Sequence, residues 1–312
     1  MNRVLASMAA VLVGCAIGPA LAQVDAARAY PERPVRLVVP FGAAGAITTV
    51  ARIIATKMTE SFGRPVIVES KPGAQGIIAC EFVQKAVPDG YTILVGTSGP
   101  MSINPAIYAK LPYQPLHDFI PITMVGSFPL VLVVNSSLPV KTVQELIAYA
   151  KTRPDSINYG AAGAVGQIVA EYFNQQAGTR FLHIPYKSGG EYINAVLANE
   201  VTIVFPAPPE ALAHVRAGRL QALAITSAKR QRSWPDVPTM SEAGLPDMVT
   251  DIWIGLFAPA GTPMPIVRRL HAEVARVVTL AEVRERFAGL GTDPSGEPGE
   301  ALAKVVAADI AR

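Results

Sequence analysis

Cysteine is nearly absent. Cys15 and Cys80 are the only two in 312 residues, and Cys15 falls within the apolar N-terminal stretch. A disulfide-stapled scaffold is excluded, and a chain cleaved after Ala22 would keep Cys80 alone, so packing must supply the stability. Charge is scarce too: 16% charged and 50% hydrophobic residues, against ~25% charged in average globular proteins, exclude intrinsic disorder. Lys and Arg number 27 against 24 Asp and Glu, a net charge of +3, and the densest basic cluster is Lys229, Arg230 and Arg232. That is too little for a nucleic-acid partner. Residues 119–140 carry no charge, but Pro121, Gly126, Pro129 and Pro139 interrupt them, so they read as buried strand rather than a membrane span.

Local catalytic signatures are missing as well. The chain has no Gly-x-Ser-x-Gly elbow, no His-Glu-x-x-His helix and no Cys-x-x-Cys pair, and His117, His183, His214 and His271 stand far apart. No catalytic residue, metal site or cofactor is therefore assigned, and the chain is not expected to be an enzyme.

What is present begins with length, which at about 100–200 residues per domain implies two domains. At the N-terminus, Arg3, an apolar stretch over residues 4–14 and Ala20-Leu21-Ala22 before Gln23 read as a secretory signal peptide over residues 1–22, which predicts export to the periplasm. An alternative reading takes Leu12-Val13-Gly14-Cys15 as a lipoprotein box acylated at Cys15.

Further on, short apolar runs at residues 35–39, 66–69, 92–96, 130–134, 201–205, 220–226 and 252–257 lack helical period and predict buried strands. Between them, sets such as Ile47, Val50, Ala51, Ile54, Met58 and Phe62, or Val267, Leu270, Val274, Val277 and Val278, recur at three- and four-residue steps and predict helices with one buried face. Thr142-Val143-Gln144-Glu145 is a capping box, and Thr262-Pro263 opens a long helix. The alternation predicts an α/β fold with largely parallel sheets, and the uncharged segments near residues 126–134 and 252–258 would carry the chain between two units.

Two glycine-rich turns carry the functional signal. Gly42-Ala43-Ala44-Gly45-Ala46 follows the strand ending at Val39 and Pro40 and leads into a helix with Thr48 in its first turn. Gly160-Ala161-Ala162-Gly163-Ala164-Val165-Gly166 repeats the arrangement in the other half. Peptide N–H groups at helix N-termini bind anions, and small side chains let a ligand approach the backbone. Both turns could instead be tight connections without a ligand. A dinucleotide site at the second fails on its glycine spacing and on the lack of an acidic residue about 20 positions on. Beyond the strand ending at Gly96, Ser98 and Asn104 are candidate donors, since ligands of α/β sheets gather past the carboxyl ends of strands. Trp253 has two readings, core packing or ligand stacking.

Ordered motifs point further. Tyr30-Pro31-x-x-Pro34-Val35-Arg36-Leu37-Val38-Val39-Pro40-Phe41, Pro88-Asp89-Gly90-Tyr91-Thr92, Pro185-Tyr186-Lys187, Pro235-Asp236-Val237-Pro238-Thr239 and Ala258-Pro259-Ala260-Gly261-Thr262-Pro263 resemble the Bug family of periplasmic solute receptors, the binding proteins of tripartite tricarboxylate transporters. The resemblance implies a type II, two-lobed "Venus flytrap" with a two-segment hinge. Lobe 1 would comprise residues 23–125 and 258–312, and lobe 2 residues 126–257 with the hinge segments. It also implies capture of a small carboxylate by a monomer that feeds membrane permease subunits or a sensor protein. The expected ligand contacts are Phe41, Gly42, Ala43, Ala44, Gly45, Ala46 and Thr48 from the first loop. Gly160, Ala161, Ala162, Gly163, Ala164, Gly166 and Pro206 would come from the other lobe, with Ser98 and Asn104 between. Thr48 stands where the family usually has Asp, which argues against an amino-acid ligand, and the loss of polar side chains in both loops predicts a ligand with an apolar body. Alternatives are a sensory adaptor or enzyme on the same scaffold, or a degenerate cleft.

Overall fold

The computed structural model describes residues 29–311 apart from 44, 154–155, 187 and 232–233. The expected signal peptide, the Cys15 alternative, Ala44 and Lys187 lie outside the described residues.

Two mixed sheets organise the chain. The first comprises β1 (Val35–Val39), β2 (Val66–Ser70), β3 (Thr92–Thr97), β4 (Phe119–Pro129), β10 (Asp251–Pro259) and β11 (Asp293–Pro294), in the spatial order β11-β4-β10-β3-β1-β2. The second comprises β5 (Val131–Asn135), β6 (Asn158–Ala162), β7 (Leu182–Tyr186), β8 (Ile203–Val204) and β9 (Leu220–Ile225), in the order β7-β6-β8-β5-β9. Helices α1 (Ala46–Phe62), α2 (Ile77–Gln84), α7 (Met264–Val277), α8 (Ala281–Gly289) and α9 (Gly299–Ala311) accompany the first sheet, and α3 (Val143–Lys151), α4 (Gly163–Ala177), α5 (Gly189–Leu197) and α6 (Pro208–Arg216) the second. Each sheet with its helices forms one lobe.

The pairing corrects the expectation of largely parallel sheets. β1 runs parallel to β2 and β3, and β6 to β7 and β8. In contrast β10 runs antiparallel to both β3 and β4, and β5 antiparallel to β8 and β9. A chain that leaves a lobe on one strand and returns on another must send the two in opposite directions. The division expected at residues 125/126 and 257/258 also falls inside β4 and β10, both of which belong to the first sheet over their whole length. β4 was legible only as uncharged chain, because Pro121, Gly126 and Pro129 argue against a strand. Pro121 is tolerated at a register shift in the ladder with β10, and Pro129 at the strand's last residue.

Cores form on both faces of each sheet, as buried apolar strands require. Leu37, Val39, Ile54, Met58 and Leu270 pack on one face of the first sheet, and Val38, Leu94, Phe257 and Leu302 on the other. Tyr159, Phe173 and Phe205 fill one face of the second sheet. The capping box expected at Thr142 forms with a variation: Thr142 Oγ1 accepts the Glu145 N–H at 3.1 Å, while Glu145 reaches past it to the Lys141 N–H at 2.6 Å. No helix among the described residues is long and apolar enough to cross a membrane.

Candidate ligand-binding site

Between the lobes lies a cavity of about 260 Å³. Its first wall is the start of α1. Gly45 is the N-cap, no side chain caps the helix, and its first turn holds no acidic residue. The N–H groups of Ala46, Ile47 and Thr48 therefore have no intrahelical acceptor and carry the positive end of the helix dipole. Gly45, Ala46 and Ile47 line the cavity beside Phe41. The facing wall is built the same way: α4 begins after Ala162, again without a side-chain cap or a first-turn acid, and Gly160, Ala161, Ala162, Ala164, Val165 and Gly166 line the space. Two uncapped helix N-termini from different lobes thus open on one cavity, which is the arrangement an anionic group requires.

Thr48 occupies a different place from the one expected. It is fully buried, and its hydroxyl donates to the Gly42 carbonyl at 2.9 Å, closing the loop on itself. It does not line the cavity, so the argument from Thr48 to the ligand's character has no contact behind it. Gly42 and Ala43 are exposed and do not line the cavity; the Ala43 carbonyl accepts Arg52 Nη1 at 2.8 Å. Gly163 starts α4, and Pro206 is buried, its carbonyl accepting the Val131 N–H at 3.0 Å. Phe205 and Ala207, on either side of Pro206, line the cavity instead.

Asn104 does line the cavity and is fully buried. Its Nδ2 donates to the Gln75 carbonyl at 3.1 Å and to the Tyr113 hydroxyl at 3.4 Å, which fixes the amide orientation and leaves Oδ1 with no partner among the described residues. Ser98 lies next door in a second chamber of about 420 Å³ between the lobes, with its Oγ buried and likewise unpartnered. Val165, Leu130 and Ile252 border both chambers, and a Cβ at Gly99 would come within 3.3 Å of Val165 Cγ2, so the lobes approach each other closely there.

Several lining residues escaped the sequence reading. Phe128, Leu130 and Ile252 come from the crossing strands, whereas Gly189, Tyr192 and Glu210 come from α5 and α6. A signal existed for the α5 residues: Ser188-Gly189-Gly190-Glu191 is a further helix start, in which the Ser188 Oγ accepts the Glu191 N–H at 3.4 Å. Trp253 resolves to core packing, 3% exposed, with its ring near Phe257 and its Nε1 donating to Asp309 Oδ2 at 2.8 Å. The histidines occupy separate places: His117 beside Asp118, His183 stacked on Tyr159, His214 on Arg219 and His271 near the Gly296 carbonyl.

Comparison with known proteins agrees with this architecture. The chain is 35% identical to protein BugT of Bordetella pertussis over 94% of its own length and 90% of that protein. Among solved structures it is similar to Rpa4515 of R. palustris, determined with adipate, at 33% identity and a TM-score of 0.84, covering 91% of this chain and 95% of that one. MatC of Rhodopseudomonas palustris, with bound malate, gives 34% identity and 0.81 over 91% and 98%, and the periplasmic binding protein BugD 34% and 0.81 over 90% and 95%. Residues 50–312 match the family described as "Tripartite tricarboxylate transporter family receptor". With two lobes, a cavity between them, and sequence kinship over most of its length, the chain belongs to the TctC (Bug) family of tripartite tricarboxylate transporter receptors.

Proposed function

We propose that this chain is a periplasmic receptor that captures a small organic carboxylate between its lobes as a monomer and presents it to the membrane subunits of a tripartite transporter. The observation that carries the reading is the convergence of the uncapped N-termini of α1 and α4 on one cavity. A carboxylate there accepts backbone N–H groups from both lobes, so binding favours the form in which the lobes are together. The remaining lining is mostly apolar, Phe41, Phe128, Leu130, Phe205 and Ile252 among it, and suits a short apolar body between polar ends. The carboxylate-bound relatives support the ligand class, and the family description supports the transporter.

A thermal-shift screen tests this directly, using mature protein refolded to strip co-purified ligand and a panel of mono-, di- and tricarboxylates, followed by calorimetry and small-angle scattering. The expected result is a rise of several degrees with at least one acid, a one-to-one stoichiometry and a smaller radius of gyration. A flat response to every acid would overturn the reading.

A further inference from the structure

One wall of the cavity carries the wrong charge for a plain anion site. Glu210, in the first turn of α6, lines the cavity. Its Oε2 accepts the Tyr192 hydroxyl at 2.6 Å. Burial, with the Glu210 charge beside it, holds the Tyr192 phenol well above its ordinary range, so it stays protonated and donates. The carboxylate is thus held by a neutral donor. Among the described residues that line the cavity there is no lysine, arginine or histidine to neutralise it. The backbone opposite is cleared for it: a Cβ on Gly189 would lie 2.7 Å from Glu210 Oε1.

Asn104 adds a second acceptor of the same kind. Both hydrogens of its amide are committed to Gln75 and Tyr113, and its Oδ1, in a fully buried side chain, has no donor among the described residues. A buried acceptor left bare is costly, and a donor that reached it would recover that cost. Two residues with acceptors, Glu210 and Asn104, therefore line a cavity whose helix ends call for an anion.

We infer that Glu210 and Asn104 select acids that carry a hydrogen-bond donor, a hydroxyl or an ammonium group, remote from the carboxylate, and reject dicarboxylates of the same length. The inference rests on the carboxylate-receptor reading above. Glu210 is exposed at the edge of the cavity, so a second carboxylate near it would meet like charge moderated by solvent, whereas an ammonium would gain a charge-assisted bond.

The test is calorimetry on the mature protein with a matched series: caproate, ω-hydroxycaproate, ε-aminocaproate and adipate, with the four-carbon analogues in parallel. The expected order is ε-aminocaproate tightest, ω-hydroxycaproate next and adipate weakest. Glu210→Gln keeps the Tyr192 contact and should narrow the gap between ε-aminocaproate and adipate by about tenfold or more. Gly189→Ala, which displaces the Glu210 side chain without removing its charge, should move selectivity in the same direction by less. If adipate binds the unaltered protein as tightly as ε-aminocaproate, or Glu210→Gln leaves the gap between them unchanged, the selectivity inference falls while the receptor reading stands. If no acid binds either protein, the receptor reading falls and takes the inference with it.

Discussion

Thr226 clasps Leu130 at the point where the chain changes lobes. The Thr226 Oγ1 accepts the Leu130 N–H at 2.9 Å, and the Thr226 N–H donates to the Leu130 carbonyl at 2.9 Å. The same hydroxyl donates to the Thr250 carbonyl at 2.5 Å, while the Thr250 N–H returns a bond to Thr226 at 2.9 Å. One side chain thus fastens the outgoing strand to the returning one, in a place sealed from water: Thr226 is 0% and Leu130 4% exposed.

Thr226→Val should accordingly destabilise out of proportion to its small change in shape. It strands one buried N–H and takes a donor from one carbonyl, with a cost of roughly 1–3 kcal/mol for each buried group left unpaired. Chemical denaturation of the variant should give a lower midpoint, whereas Thr226→Ser, which keeps the hydroxyl, should lose much less. Equal losses for Val and Ser would assign the effect to packing of the methyl group instead.

Thr48 and Gly42 define a similar closure in the first binding loop. Thr48→Val removes the 2.9 Å bond to the Gly42 carbonyl and should cost about 1 kcal/mol of stability. Because that bond fixes the loop that leads into α1, acid binding should weaken as well. Thr49→Val, whose hydroxyl caps back to the Gly45 carbonyl on the solvent side at 3.1 Å, provides the comparison and should leave affinity nearly unaltered.

The pH dependence of stability should carry a signature of Asp251. Its carboxyl is raised from 3.8 to about 6, first by the protein packed around it and second by the neighbouring Asp293 charge, although the residue keeps contact with solvent. A carboxyl that holds its proton more tightly in the folded than in the unfolded chain opposes folding once ionised. The penalty is absent below about pH 4, grows between about pH 4 and 6, and is full above that range. Asp251→Asn should therefore raise the melting temperature at neutral pH and flatten its rise on acidification from about pH 7 to 5. A parallel pH profile for the two proteins would remove Asp251 from this role.

Cys80 should be silent in the native state. It is 0% exposed in α2, and burial pushes its thiol up to about 12. Reaction with an aromatic disulfide reagent needs an accessible thiolate. Labelling is expected to be slow in buffer and complete in denaturant, and rapid labelling in buffer would mean that α2 opens locally.

Much of the scaffold was legible because burial on both faces of a sheet leaves a trace in one dimension. Strands such as Val35–Val39 and Thr92–Thr97 are mostly buried apolar residues with Pro or Gly close to their ends, and α1 and α7 repeat their apolar residues at helical steps. The two helix starts that open on the cavity were readable as glycine- and alanine-rich turns after strands. β4 was not, since prolines in the sequence hide a strand that tolerates Pro121 at a register shift in its ladder with β10 and Pro129 at its end. Glu210 was not, because nothing local separates an acidic residue stabilising a helix start from one aimed into a cavity.

By itself, then, the sequence determined the α/β alternation, the two anion-seeking turns and the family, all of which depend on neighbours within a few residues or on ordered motifs. Tertiary structure alone decided what faces the ligand. It turned Thr48 inward to its own loop, left Asn104 Oδ1 without a donor among the described residues and set Glu210 against Tyr192 and Gly189, 18 and 21 residues away in sequence. Side-chain direction and unpaired polarity arise only when distant segments pack, because a buried donor or acceptor is defined by the partners that the fold brings to it or withholds.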